Sequence, residues 1–259
     1  MSGPVYRYLD AELPLAIAHR GGAIEHLENS YPAFAACVDL GYRYLETDLR
    51  VTADGVLVVF HDAGLGRVTD RTGRIDSLPW AAVQEARIGG REPIMRAEDL
   101  LTAWPDVRFN LDLKAVGVLS PLLRLVRRLG VEDRICIGSF SDSRLAAARQ
   151  AFGSRVCTSL GPRGVLALRL SSYSPRAGGL VRGNAGCAQV PEFVGGRTLV
   201  ADERFIATAH AHGMQVHVWT INDPAKMNEL LDRGVDGIMT DRPAMLRQVL
   251  EQRGQWVSR

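Results

Sequence analysis

Residues 44–62 read YLETDLRVTADGVLVVFHD. Two runs with strand character flank Ala53-Asp54-Gly55, and Asp-Gly between such runs is a strong hairpin signal. Side chains two apart along a strand share a face, so Glu46 and Asp48 point one way and Thr47 the other. A two-residue turn at Asp54-Gly55 would pair position 48 with 61; a three-residue turn would pair 47 with 61. In either register His61 returns beside Glu46 and Asp48. Paired carboxylates ending an apolar strand suit a hard divalent cation, which takes oxygen ligands. Alone, the pair reads more simply as a solvated strand end. With His61 and Asp62 delivered against it, His61 becomes a candidate acid–base group, because nearby negative charge favours its protonated form.

Outward from this hairpin, short strand-like runs alternate with helical patterns. The expected strands cover 15–19, 44–49, 56–60, 108–113, 134–138, 155–158, 186–190, 214–220 and 237–240. Helices are expected over 31–40 with Ser30 as N-cap, then 119–129, 143–152, 203–212 and 224–233, each closed by a glycine. Such alternation implies a parallel sheet with right-handed crossovers. The expected fold is α/β, a TIM-type (β/α)8 barrel, with the hairpin's return strand as the ninth, extra strand. The runner-up is an open doubly wound sheet, but no GxGxxG or P-loop fingerprint supports it. Residues 63–104 carry only faint helical patterns (79–86 and 96–103) and read as a small insertion after the hairpin. Residues 161–185 read as a helix followed by a Gly/Ser/Arg-rich loop. The reading is one barrel domain over 1–259.

Two further strand ends carry chemistry. His19-Arg20-Gly21-Gly22 follows the apolar run LAIA, and barrel active sites lie at the C-terminal ends of strands. His19 supplies a second titrating group, and Arg20 a forked cation suited to phosphate. An ordinary strand-to-loop turn is the bland alternative. In FNLDLK, Asp112 and Lys114 share a face, either as a buried structural ion pair or as a cation ligand and a phosphate contact.

The 259 residues carry a net charge of +2 from 31 basic and 29 acidic residues, so no broad basic surface for nucleic acid is expected. Cys37, Cys136, Cys157 and Cys187 form no CxxC pair and read as small buried hydrophobes suited to a reducing compartment. The N-terminus has no signal-peptide pattern, and no apolar run approaches membrane-spanning length. A cytoplasmic enzyme without stable membrane insertion is the expectation.

The ordered pieces HRGG, LENS, ETD, TADG with VFHD, LGRVTDRTG, LDLK, HVWTIND and VDGIMTDRP resemble the glycerophosphodiester phosphodiesterase family over about residues 15–245. The resemblance implies hydrolysis of small-molecule glycerophosphodiesters to glycerol 3-phosphate and an alcohol. It implies His19 and His61 as the catalytic pair, and Glu46, Asp48 and Asp112 as ligands of Mg2+ or Ca2+. It implies phosphate contacts from Arg20 and Lys114 and a substrate-side role for Trp219. Glu28 falls on the family's acidic position near the metal. Asp112 stands where the family usually has Glu, and LGRVTDRTG departs from the family's L-x-R-T-T spelling. A lysophospholipase D-type activity would use the same site with a more apolar lip. A catalytically silent barrel acting as a binding module would have lost a histidine or the carboxylate pair, and this chain keeps both.

Overall fold

Nine strands carry the architecture: β1 (Leu15–His19), β2 (Tyr44–Val51), β3 (Leu57–Val59), β4 (Arg108–Leu113), β5 (Ile135–Gly138), β6 (Cys157–Thr158), β7 (Cys187–Pro191), β8 (Gln215–Trp219) and β9 (Gly237–Thr240). The computed structural model describes residues 6–174, 181, 184–194 and 198–257, so part of the expected 161–185 segment lies outside the described residues. Eight strands pair in parallel in the order β6-β5-β4-β2-β1-β9-β8-β7. The two ends of that path meet through a parallel bridge between Ser159 and Cys187. There the Leu160 N–H donates to the Cys187 carbonyl at 2.9 Å and the Gly186 N–H to the Thr158 carbonyl at 3.0 Å. The sheet is thus a barrel, and β3 is the extra antiparallel strand on β2.

The hairpin takes the three-residue option. Leu49 faces Val59 and Val51 faces Leu57, a register that continued outward sets position 47 opposite 61. The Thr52 hydroxyl accepts from Val56 N–H at 2.9 Å and donates to Asp54 Oδ1 at 2.5 Å. These local bonds compete with a two-residue turn and fix the wider one.

Helices α1 (Tyr31–Asp39), α2 (Leu119–Leu129), α3 (Asp142–Phe152), α4 (Pro162–Ser171), α5 (Glu203–Ala211), α6 (Pro224–Asp232) and α7 (Pro243–Gln252) surround the barrel. Ser30, Ser141, Asp202 and Asp223 cap α1, α3, α5 and α6 by accepting from backbone N–H groups of the first turn. The expected strand at 155–158 is shorter, because residues 153–155 form a 3-10 turn. The helices press Phe34, Leu122, Val126, Leu145, Phe205 and Leu246 onto outward-facing strand residues such as Leu45, Phe109 and Val216.

The excursion after β3 divides. Helix Ala97–Ala103 packs Ala97, Leu100 and Leu101 into the barrel's outer core, as the crossover helix between β2 and β4. The stretch before it builds its own small core from Phe60, Leu65, Ile75, Val83, Ile88 and Ile94. Inside the barrel the N-terminal end is plugged by Tyr6, Tyr8 and Leu9 over Ile17, Tyr44 and Met239. Among the described residues, no helix is long and apolar enough to cross a membrane.

Candidate active site

Alternation along the strands decides which side chains reach the open, C-terminal end of the barrel. β1 delivers His19, β2 delivers Glu46 and Asp48, and β4 delivers Asp112, with Lys114 just beyond its end. Register brings them together: His19 pairs with Glu46, and Asp48 with Asp112. Trp219 ends β8.

The loop after β1 is unusually constrained. Arg20, Gly21 and Gly22 all have positive φ, at 52°, 77° and 86°. At Gly21 a Cβ would lie 2.8 Å from the Ala33 Cβ, and at Gly22 it would lie 2.8 Å from the Pro243 ring, so neither position admits a side chain. Arg20 has no such licence and is held instead by bonds: its N–H donates to the Glu46 carbonyl at 3.0 Å and lies 3.2 Å from Glu46 Oε2. Its guanidinium is then aimed at Asp48, with Nε 3.1 Å from Oδ2 but out of hydrogen-bond alignment.

Three carboxylates and two cations crowd this point. Lys114 Nζ donates to Asp112 Oδ2 at 2.6 Å and sits 2.9 Å from Asp48 Oδ1. Burial would raise the Asp48 carboxyl, but Lys114 and Arg20 outweigh it and hold it low. Burial would likewise lower Lys114, and Asp48 and Asp112 outweigh that and raise it. Glu46 goes the other way: burial pushes its carboxyl up to about 7 against the pull of His19. Asp112 Oδ1 is buried with no hydrogen-bond partner, and Asp48 Oδ1 has an ion-pair contact but no aligned donor. Orphaned buried oxygens carry a desolvation cost that a bound cation would remove. Carboxylate oxygens are the donor type that Mg2+ and Ca2+ take, and here Lys114 Nζ lies between Asp48 and Asp112.

Each imidazole is fixed by its own carboxylate. His19 Nδ1 lies 2.6 Å from Asp241 Oδ1, leaving Nε2 facing Glu46 Oε2 at 3.7 Å. Burial would lower the His19 pKa, but Glu46 and Asp241 outweigh it and raise it. His61 Nδ1 lies 2.6 Å from Asp62 Oδ1. His61 also acts on Asp48, whose low carboxyl pKa it helps maintain.

Glu28 pairs with arginines. Its Oε1 accepts from Arg67 Nη2 at 2.6 Å and lies 3.4 Å from Arg20 Nη1, while Oε2 accepts from Arg67 Nη1 at 2.9 Å. Arg67 also bonds Asp62. Glu28 thus anchors an arginine chain that runs from the His61 partner to Arg20, and both its oxygens are committed.

Four residues of the candidate site escaped the sequence reading. Asn29, at φ 58°, donates from Nδ2 to Asp48 Oδ2 at 3.1 Å and accepts from Thr47 Oγ1 at 2.8 Å. It lies within the quoted LENS, but only the turn after β1 aims it at β2. Asp241 was findable by parity, since it continues the inward face of Gly237 and Met239. Asn222 then holds Asp241, donating to Oδ2 at 3.2 Å and accepting from the Asp241 N–H at 2.8 Å. Phe140 is 63% exposed at the mouth, edge-on to Trp219 at 5.6 Å between centroids and under Lys114 Nζ at 5.7 Å. An aromatic after a strand end gives no distinctive sequence signal.

Residues 19–245 match the glycerophosphoryl diester phosphodiesterase family. A Mycobacterium tuberculosis relative named probable glycerophosphodiester phosphodiesterase 2 is 40% identical, covering 98% of this chain and 97% of its own length. A crystal structure from Silicibacter pomeroyi, provisionally named a glycerophosphoryl diester phosphodiesterase, superposes with a TM-score of 0.80 at 23% identity over 96% of this chain and 98% of its own. An Oleispira antarctica phosphodiesterase solved with the product sn-glycerol-3-phosphate superposes with a TM-score of 0.77 at 22% identity, over 92% of this chain and 97% of its own. At these identities the two structures speak for the fold.

Proposed function

The chain belongs to the glycerophosphoryl diester phosphodiesterase family, and from that premise we propose that it hydrolyses glycerophosphodiesters to glycerol 3-phosphate and an alcohol in the cytoplasm. The observation that carries the reading is the pair of carboxylate-fixed imidazoles, His19 with Asp241 and His61 with Asp62, with His19 Nε2 3.7 Å from Glu46 Oε2. Glu46, Asp48 and Asp112 would hold Mg2+ or Ca2+, which when bound supplies neutralisation of phosphate charge.

The remaining chemistry falls to the chain. Lys114 and Arg20 face the phosphate oxygens with fixed positive charge, already oriented and partly desolvated, so little reorganisation is needed as charge develops. One imidazole takes the proton of the attacking oxygen and the other gives a proton to the leaving alcohol. Each such transfer contributes roughly 10²–10⁴-fold. Asp241 and Asp62 fix each ring through Nδ1 and leave Nε2 for the reacting atoms. Trp219 and Phe140 form an aromatic wall on the substrate side.

One observation favours a second reading, a lysophospholipase D-type activity. The excursion turns its apolar residues into its own core, yet Val116 and Phe140, 87% and 63% exposed, offer apolar footing beside Lys114 at the mouth. A panel of water-soluble glycerophosphodiesters and lysophospholipids, each with Mg2+, Ca2+ or EDTA, separates the readings by release of free alcohol. The account expects the water-soluble diesters to turn over faster, and EDTA to stop the reaction. Faster turnover of lysophospholipids would transfer the assignment to the second reading, and EDTA-insensitive turnover would remove the metal from either.

A further inference from the structure

The opposite end of the barrel interior holds a second cluster that the phosphodiesterase chemistry does not use. Cys136, Cys157 and Cys187 lie on the adjacent strands β5, β6 and β7. Cys136 pairs with Cys157 in register, and Cys187 forms the bridge that closes the barrel. All three are buried, and their sulfurs lie within 4.8 Å of one another, with Cys136 and Cys187 Sγ 3.9 Å apart.

We propose that Cys136, Cys157 and Cys187 form a structural site for a thiophilic cation of the Zn2+ class. Tetrahedral coordination with zinc–sulfur bonds of about 2.3 Å places sulfurs about 3.8 Å apart, close to the separation found here. The fully buried His217 is committed elsewhere, with Nε2 3.0 Å from Gln215 Oε1 and Nδ1 3.5 Å from Gln189 Nε2, so the three sulfurs are the donors that the described residues supply. Cation binding would replace the thiol protons. Three sulfur–metal bonds form as the thiol protons leave to solvent, with no change of oxidation state. The site is closed, since a Cβ at Gly186 would lie 2.8 Å from Cys157 Sγ and 2.7 Å from the Tyr6 ring. Closed thiolate sites are structural, whereas catalytic ones keep an open position. Metal must therefore enter during folding, and the site would pin the seam where β6 and β7 close the barrel.

The test uses the full chain, unfolded under a phosphine reductant and refolded with one equivalent of Co2+ or Zn2+. A Glu46→Gln/Asp112→Asn variant is run alongside to remove the carboxylate site. The proposal expects near-ultraviolet thiolate-to-Co2+ charge transfer at one ion per chain, kept in the carboxylate variant and lost in Cys136→Ala. It also expects Zn2+ to raise the Tm of the carboxylate variant by on the order of 5–10 °C. Co2+ bound without charge transfer would overturn the proposal. So would three thiols that remain fully titratable after refolding with Zn2+. The wild-type spectrum decides the matter even where Cys136→Ala fails to fold.

Discussion

The two ends of one barrel interior obey the same strand alternation and are filled in opposite ways. At the C-terminal end the inward positions are His19, Glu46, Asp48, Asp112 and Asp241, with charged groups desolvated and oxygens left unpartnered. At the N-terminal end they are Ile17, Tyr44, Cys136, Cys157, Cys187 and Met239, capped by Tyr6 and Tyr8. The difference teaches where stability was conceded for chemistry. Burying three carboxylates at one point is unfavourable without a cation, and the apolar plug below, with the helices outside, is what holds the strands against it. Substitutions at the open end should thus cost activity and spare the fold, while those that remove packed apolar groups from the plug should do the reverse.

Glu46→Gln should break the symmetry most sharply. The Glu46 carboxyl is raised by burial to about 7. A carboxyl raised above its unfolded value of about 4.3 favours folding in its protonated form, so its ionisation erodes stability as pH climbs from about 4.3 through 7. Gln removes that penalty and can still accept from the Arg20 N–H. The metal-free variant should melt no lower than the parent at pH 8, while kcat falls roughly 10²–10³-fold. A drop of several degrees in Tm would show that Glu46 holds the fold rather than burdening it.

Asp241→Asn should act through His19 with a smaller effect, about 10- to 100-fold on kcat against a near-constant KM, a part of what full acid–base assistance contributes. Asp241 helps raise the His19 pKa. In the metal-free protein, imidazole NMR should show His19 titrating above the ordinary value of about 6.5 and moving down in the variant. An unmoved titration would mean the 2.6 Å contact carries no charge interaction. At the plug, Tyr8→Phe should be nearly silent. The Tyr8 hydroxyl is buried with no hydrogen-bond partner, so its loss removes a desolvated polar group and shifts stability by less than about 1 kcal/mol, in the stabilising direction. Chemical denaturation of the two proteins reads this directly. A loss beyond about 1 kcal/mol would mean that the hydroxyl has a partner in solution.

Much of this was legible because strand parity and turn chemistry are local. Glu46 and Asp48 on one face, Asp112 and Lys114 on another, and the return of His61 all follow from counting along short segments. Family resemblance added His19 opposite them. What was not legible depends on contacts between distant segments. Asp241 meets His19 across 222 residues, and Cys136 meets Cys187 across 51. No spacing rule signals three thiols that converge only because their strands are neighbours around a closed barrel. Asn29 needed its left-handed backbone to be aimed at Asp48, and Glu28 meets Arg67 across 39 residues. The helix Ala97–Ala103 hid within a faint pattern because packing on the barrel, rather than propensity, stabilises it.

The central claim is that two carboxylate-fixed histidines exchange protons with the substrate beside the Glu46–Asp48–Asp112 cluster. The most direct measurement is kcat on a water-soluble glycerophosphodiester for His19→Ala and His61→Ala, with bound divalent metal quantified in each. The account predicts a loss of roughly 10²–10⁴-fold in both, with metal binding retained. Near-normal turnover in either variant would contradict it.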